Sequence, residues 1–162
     1  MINQLDWDSN FFELQIAECV IDNQSVINVE KTYDLIYVFC NSDKDISLPG
    51  YSESYKENKI VYFKNDLVKN QFVSDTILSF SKTNFSREQL YELSFESGKY
   101  SRFKKDKKFS IRQFENLYKK WIDNSLDINF ANDILVCVEE NKIIGFISYK
   151  IKNNEASIGL VA

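Results

Sequence analysis

The chain has 162 residues, of which 44% are hydrophobic and 15% aromatic, enough apolar material for one domain or for two small lobes that share a core. Its 20 basic and 24 acidic residues are interspersed and give a net charge of −4, which argues against nucleic acid or an anionic membrane as a partner. The acidic N-terminus and the lack of an apolar run of ~20 residues predict a soluble, cytoplasmic protein without a membrane span.

Two residue types limit the chemistry that the chain can perform. The three cysteines, Cys19, Cys40 and Cys137, are far apart and each lies in an apolar run, so we expect buried free thiols. Histidine is absent, which excludes Ser-His and Cys-His catalysis and histidine-based zinc sites. Acid–base chemistry must therefore use carboxylates, tyrosine, lysine or water. No acidic cluster suits a metal, and we expect none to be bound.

Residues 1–85 are predicted to form a strand-rich lobe. Apolar, strand-like runs occur at residues 15–21, 34–40 and 59–63. Residues 76–80 are a weaker candidate for a fourth strand, and residues 24–31 are a candidate for a short helix. The polar residues 41–58 contain the pair Pro49-Gly50 and are predicted to form a long loop.

The periodicity becomes helical after residue 85. Ser86 followed by Gln89 has the spacing of a capping box, and Gly98 stands where that helix would end. Ser110 and Gln113 repeat the capping signal for a second helix. Its apolar residues follow the i, i+3, i+4, i+7 pattern of one helical face: Ile111, Phe114, Leu117, Tyr118, Trp121 and Ile122.

Residues 134–162 are predicted to form a three-stranded antiparallel meander. Runs rich in Val, Ile, Phe and Tyr are separated by the tripeptides ENK and NNE, which offer Asn for tight turns. The middle run is apolar on both faces near its start, as expected for a strand inside a sheet. The predicted fold is therefore mixed α/β, with a strand-rich lobe at 1–85 packed against a part at 86–162 that has two helices and the meander.

Two motifs are candidates for a site. Asp6 and Asp8 would point the same way on an extended segment, which suits acid–base chemistry or a cation. The alternative is an Asx-type turn that lets Trp7 and the two phenylalanines after it enter the core. The second motif is ESGKYSRF at residues 96–103, in which Arg102 has the fixed charge and forked donors that suit phosphate or carboxylate. Its alternative is a helix C-cap with a surface arginine, followed by a solvated run of lysines.

These segments together resemble bacterial acetyltransferases of the GNAT fold. LDWDSNFF, ESGKYSRFKKD, LYKKWIDNSL, IIGFISY and IGLVA stand in the order found in enzymes similar to TDP-fucosamine acetyltransferase. The resemblance implies transfer of acetyl from acetyl-CoA to the amine of a nucleotide-linked 4-amino-4,6-dideoxy sugar, in cell-surface polysaccharide biosynthesis.

The resemblance also implies roles for individual residues. The acceptor sugar nucleotide would lie near four side chains, with Arg102 at its phosphate: Tyr100, Ser101, Arg102 and Phe103. The pantetheine arm of acetyl-CoA would run along the backbone of three residues: Gly159, Leu160 and Val161. The resemblance assigns no catalytic side chain within this chain and no metal.

By the same resemblance, residues 86–162 correspond to the N-terminal half of a GNAT domain, and the pyrophosphate loop would follow Ala162. We therefore expect the chain by itself to bind acetyl-CoA weakly and to lack transferase activity. The alternative is a non-catalytic binding or assembly module, or an inactive relic, that keeps only the acceptor-side lobe. The uncharged strand SIGLVA at 157–162 further predicts a homodimer through the C-terminal strand.

Overall fold

The computed structural model describes residues 2–21, 27–29, 31–40, 46–56, 74–153 and 155–162. The chain is mixed α/β, as predicted, and divides into two compact units, Met1–Glu53 and Ser54–Ala162. The division differs from the predicted boundary at residue 85, because strand β4 (Ile77–Ser79) pairs with a strand that follows the helices. The strand predicted at 59–63 lies outside the described residues, as do four of the eight residues of the candidate helix at 24–31; the other four are not helical.

The first unit contains a three-stranded sheet. Strand β1 (Ile2–Gln4) runs antiparallel to β2 (Ile16–Ile21), which runs parallel to β3 (Leu35–Cys40). The strands predicted at 15–21 and 34–40 are therefore confirmed. The Ser9 hydroxyl joins the segment before β2 to that strand, because it accepts the N–H of Ile16 at 2.9 Å.

The paired-carboxylate interpretation of the N-terminal motif is wrong, because the segment is a helix, α1 (Asp6–Phe12). Residues two apart on a helix point about 200° apart, so Asp6 and Asp8 do not face the same way. The turn interpretation is also incomplete. Phe12 is buried, but Trp7 is 44% exposed and stacks on Phe11 with the ring centroids 5.1 Å apart.

The second unit contains a four-stranded antiparallel sheet in the order β4, β5 (Asp133–Glu139), β6 (Lys142–Lys152) and β7 (Glu155–Val161). The predicted meander is confirmed, and so is the candidate strand at 76–80. The turn between β5 and β6 has φ values of 48° at Glu140 and 61° at Asn141. Two consecutive positive φ values are what a two-residue type I′ hairpin requires.

Three helices precede the meander: α2 (Arg87–Ser97), α3 (Arg102–Lys105) and α4 (Ile111–Ser125). The capping box at Ser110 and Gln113 is present with both of its hydrogen bonds. The capping box expected at the start of α2 is not formed. Ser86 accepts a bond from the Glu88 N–H, but the Gln89 side-chain oxygen accepts the N–H of Ile143 at 3.0 Å and so ties α2 to β6.

The two long helices, α2 and α4, cover one face of this sheet. The core between them and the sheet is made of six buried residues: Leu90, Ile122, Ile134, Val136, Ile143 and Phe146. On the opposite face, Ile151, Ile158 and Val161 are exposed. The predicted homodimer through residues 157–162 stays a prediction.

Candidate functional site

The predicted acceptor segment forms a corner between α2 and α4. A 3₁₀ turn, Gly98–Tyr100, follows α2 directly, and Ser101 stands at the N-cap position of α3. Arg102 is the first residue of α3. The sequence predicts a loop here, whereas the structure holds most of the segment in two short helical turns. The backbone of the segment is therefore fixed by local hydrogen bonds, including Ser101 N–H to the carbonyl of Gly98 at 2.9 Å.

Tyr100 presents an aromatic ring to solvent, with its side chain 68% exposed. The ammonium groups of Lys99 and Lys105 lie 5.3 and 5.5 Å from the ring centroid. Lys99 also forms a salt bridge with Glu96, whose hydrogen bond and charge raise the pKa of Lys99. An exposed ring beside two cations can stack on a flat ligand while the cations bind its phosphates.

The rest of the segment is partly or fully buried. The Arg102 guanidinium lies over the Phe103 ring, 4.6 Å from its centroid. Phe103 is 8% exposed and packs edge-on against Phe109 and Trp121, with ring centroids 5.4 and 5.7 Å away. Phe103 thus anchors the segment on α4, and its burial does not favour the predicted ligand contact. The Ser101 hydroxyl oxygen is buried and has no hydrogen-bond partner among the described residues.

The three predicted cofactor residues lie at an irregularity between β6 and β7. The pairing skips one residue, so that Gly159 and Leu160 both stand opposite Ser148 in a β-bulge. The Leu160 N–H donates to the Ser148 side-chain oxygen at 2.8 Å. A Cβ atom on Gly159 would lie 2.7 Å from the same oxygen, so the bulge requires glycine for space. Val161 returns to regular pairing with Ile147.

A cavity of about 120 Å³ opens beside the bulge, between the end of α4 and strands β6 and β7. Its wall includes Ser125, Ser148 and Gly159. A neighbouring cavity of about 220 Å³ shares Ser125 with it and lies against the loop between α4 and β5. That loop is held on β6, because the Lys150 ammonium donates to the carbonyls of Ile128 and Asn129 at 2.7 and 3.3 Å.

The two predicted residue sets lie along the same helix. Gly98 packs against the Tyr118 ring and Phe103 against Trp121, whereas the cavity at the bulge reaches Ser125, one turn further along α4. Helices α2 and α4 each contact both the acceptor segment and strand β7, and so connect the segment to the bulge.

Comparison with known proteins returned no matching family model, no matching curated protein and no matching solved structure. Within the described ranges, no group of three or more carboxylate or thiol side chains is arranged to hold a metal ion. No helix in the same ranges has both the length and the apolar character to cross a bilayer.

A polar cluster that the sequence analysis missed joins α2 to α4. The Tyr91 hydroxyl donates to the Asp123 carboxylate at 2.6 Å, and the Arg87 guanidinium donates to the same oxygen at 3.3 Å. Partial burial and the bond to Asp123 raise the pKa of Tyr91. The i, i+4 spacing of Arg87 and Tyr91 indicates a shared helical face, but the sequence does not indicate the partner on α4.

We expect this cluster to lose its stabilising effect at high pH. Because the folded pKa of Tyr91 is above its unfolded value, its contribution is fully present below about pH 10 and is lost as pH rises through the folded pKa. Urea denaturation of the wild type and of Tyr91→Phe should therefore differ most near neutral pH and converge in alkali. Tyr100→Phe, at an exposed ring with no carboxylate partner in the described structure, is the control. A wild-type advantage that persists unchanged in alkali would contradict the assignment.

Proposed function

We propose that this chain carries the acceptor-side segment and the acyl-donor strand of a GNAT-type N-acetyltransferase. The reaction is transfer of acetyl from acetyl-CoA to the amine of a nucleotide-linked amino sugar. The observation that carries the proposal is the bulge at Gly159 and Leu160, at the residues that the resemblance assigns to the pantetheine arm. The bulge interrupts the regular pairing of β7 with β6, and the Leu160 N–H is held by Ser148, so an extended ligand would pair with the edge of β7 that is free in the described sheet.

The order of elements in the second unit supports the proposal. The resemblance implies that IGLVA, residues 158–162, belongs to the fourth core strand. In the described sheet, β7 is the fourth strand along the chain and has one neighbour, β6. The other edge of β7 therefore presents main-chain N–H and C=O groups that a pantetheine arm could pair with.

The acceptor would bind at the corner between α2 and α4. The exposed Tyr100 ring suits stacking on a nucleobase, and the ammonium groups of Lys99 and Lys105 suit a diphosphate. Arg102 adds a forked donor at the same corner. Catalysis would consist of holding the amine and the thioester in contact, removing the amine's proton and stabilising the oxyanion. Because the sequence contains no histidine, the base would be a carboxylate, tyrosine, lysine or water.

Amide chemical shifts test the proposal for both ligands. In a ¹⁵N-labelled chain, acetyl-CoA should shift the amides of Gly159, Leu160 and Val161. The control ligand 3′-phosphoadenosine 5′-diphosphate, which lacks the pantetheine arm, should leave them in place. A nucleoside-diphosphate sugar should shift Tyr100 and its neighbours instead, and Arg102→Ala should weaken this response roughly 10-fold or more while keeping the first.

The outcomes separate the proposed enzyme from other functions. Equal responses to acetyl-CoA and to the control ligand would show that the bulge does not recognise the acyl-donor arm, and would contradict the proposal. A response to the nucleotide sugar alone would favour a binding module that uses the acceptor segment without acyl transfer.

A further inference from the structure

Ser148 is a buried hydroxyl with an unused proton. Its side chain is 1% exposed, lies in the wall of the 120 Å³ cavity and accepts the N–H of Leu160 at 2.8 Å. A serine hydroxyl has one proton to donate besides its two lone pairs, and no described residue accepts the proton of Ser148. Because an unsatisfied buried donor costs free energy, the site favours an acceptor atom that enters the cavity.

The position of this donor next to the bulge sets it apart from the other serines of the cavity. Ser148 and Gly159 both line the cavity, and a Cβ atom added to Gly159 would lie 2.7 Å from the Ser148 oxygen. Ser125 already donates to a main-chain carbonyl one turn back at 2.8 Å, and Ser157 donates to a carbonyl of β6 at 3.3 Å. Ser148 is thus the serine of this wall whose proton is available to a ligand.

We propose that the Ser148 hydroxyl donates a hydrogen bond to the thioester carbonyl oxygen of the acyl donor and stabilises the oxyanion formed from it. This inference rests on the proposed function and adds a side-chain donor to it. The hydroxyl is fixed in advance, because it stands on a central strand and its oxygen is held by the Leu160 N–H. Accepting that N–H also polarises the O–H group and strengthens it as a donor.

The acceptor amine forms a C–N bond to the thioester carbon while the carbonyl electron pair moves onto oxygen, where the charge strengthens the bond from Ser148. Ser148 keeps its proton throughout. The C=O bond then re-forms, the C–S bond breaks and coenzyme A leaves as the thiolate. The amine loses a proton to solvent water, and the thiolate takes one from solvent.

Infrared spectroscopy of acetyl-CoA labelled with ¹³C at the thioester carbonyl reports this hydrogen bond directly. On binding to the wild-type chain, the carbonyl stretch should move to lower wavenumber. Ser148→Ala should bind the same ligand roughly 3- to 10-fold more weakly and lack the shift in the bound fraction. Ser157→Ala is the matched control, since it removes a hydroxyl from the same cavity whose proton is already used, and the shift should persist.

Each contrary outcome has a distinct meaning. If Ser148→Ala binds acetyl-CoA with an unchanged carbonyl shift, the donor role is wrong and the proposed function stands. If Ser148→Ala binds acetyl-CoA more weakly, keeps the carbonyl shift in the bound fraction and exchanges the Leu160 amide hydrogen faster, Ser148 is a structural residue of the bulge. If acetyl-CoA does not bind the wild type at the bulge even at the high ligand concentration that the expected weak binding requires, both proposals fail. Ser148→Cys, which keeps a weak S–H donor of similar size, should lose most of the shift and serves if Ser148→Ala does not fold.

Discussion

Gly98→Ala is expected to lower the free energy of unfolding by about 1–3 kcal/mol, because the added methyl group overlaps a buried ring. A Cβ atom at this position would lie closer to the Tyr118 ring than van der Waals contact allows, and 2.6 Å from its hydroxyl oxygen. Tyr118 is buried between Phe114 and Trp121, with centroids 4.7 and 5.0 Å away, and has little room to move. Because φ at Gly98 is −77°, backbone strain does not add to the cost.

Urea denaturation of Gly98→Ala, Lys99→Ala, Tyr118→Leu and the variant with both Gly98→Ala and Tyr118→Leu separates overlap from other causes. Lys99→Ala, at the next and exposed position, should change stability by less than about 0.5 kcal/mol. Gly98→Ala should cost much less when Tyr118 is replaced by leucine, because the overlapping ring is then gone. Equal costs of Gly98→Ala in both backgrounds would mean that the two residues do not interact, and would contradict the explanation.

The elements that could be predicted from the sequence are those that local patterns specify. The buried face of α4 follows from its periodicity except at Ile111, which is exposed. The start of α4 follows from the box at Ser110 and Gln113, and the hairpin of β5 and β6 from an Asn-bearing turn. Helix α1 could not be predicted in this way. It has seven residues, too few for a periodic face, and its N-cap, Leu5, has no side-chain oxygen to accept a hydrogen bond.

The remaining differences come from contacts between residues far apart in the sequence. Gln89 has the capping spacing, but its side chain bonds to Ile143 on β6 instead. Gly98 was predicted to end α2, and it does, but the space it leaves is required by Tyr118 on another helix. A glycine within a strand is a signal for a bulge, so a bulge at Gly159 could have been predicted from the sequence alone. The sequence does not indicate that the bulge lies against the hydroxyl of Ser148, because the two are on different strands.

The second large effect is expected from Gly159→Ala, which should both destabilise the fold and abolish binding at the bulge. The new Cβ atom would lie 2.7 Å from the Ser148 side-chain oxygen, closer than such atoms approach in folded proteins. Either the Ser148 hydroxyl turns away and loses the Leu160 N–H, or the bulge opens. Overpacking or a lost buried hydrogen bond each costs about 1–3 kcal/mol, so we expect a loss of that size in urea denaturation.

The same substitution changes the acyl-donor site without adding a charge or a hydrogen-bonding group. The affinity for acetyl-CoA, measured from the amide shifts of Leu160 and Val161, should fall roughly 10-fold or more. A loss of about 1.4 kcal/mol in binding free energy corresponds to a factor of 10 in affinity. In a Ser148→Ala background the stability cost should largely disappear, because the oxygen that the methyl group meets is absent. The acetyl-CoA response should stay weak in that double variant, because the proposed donor to the thioester is absent as well. A double variant that recovers both stability and binding would show that the bulge needs only space, and that Ser148 gives nothing to the ligand.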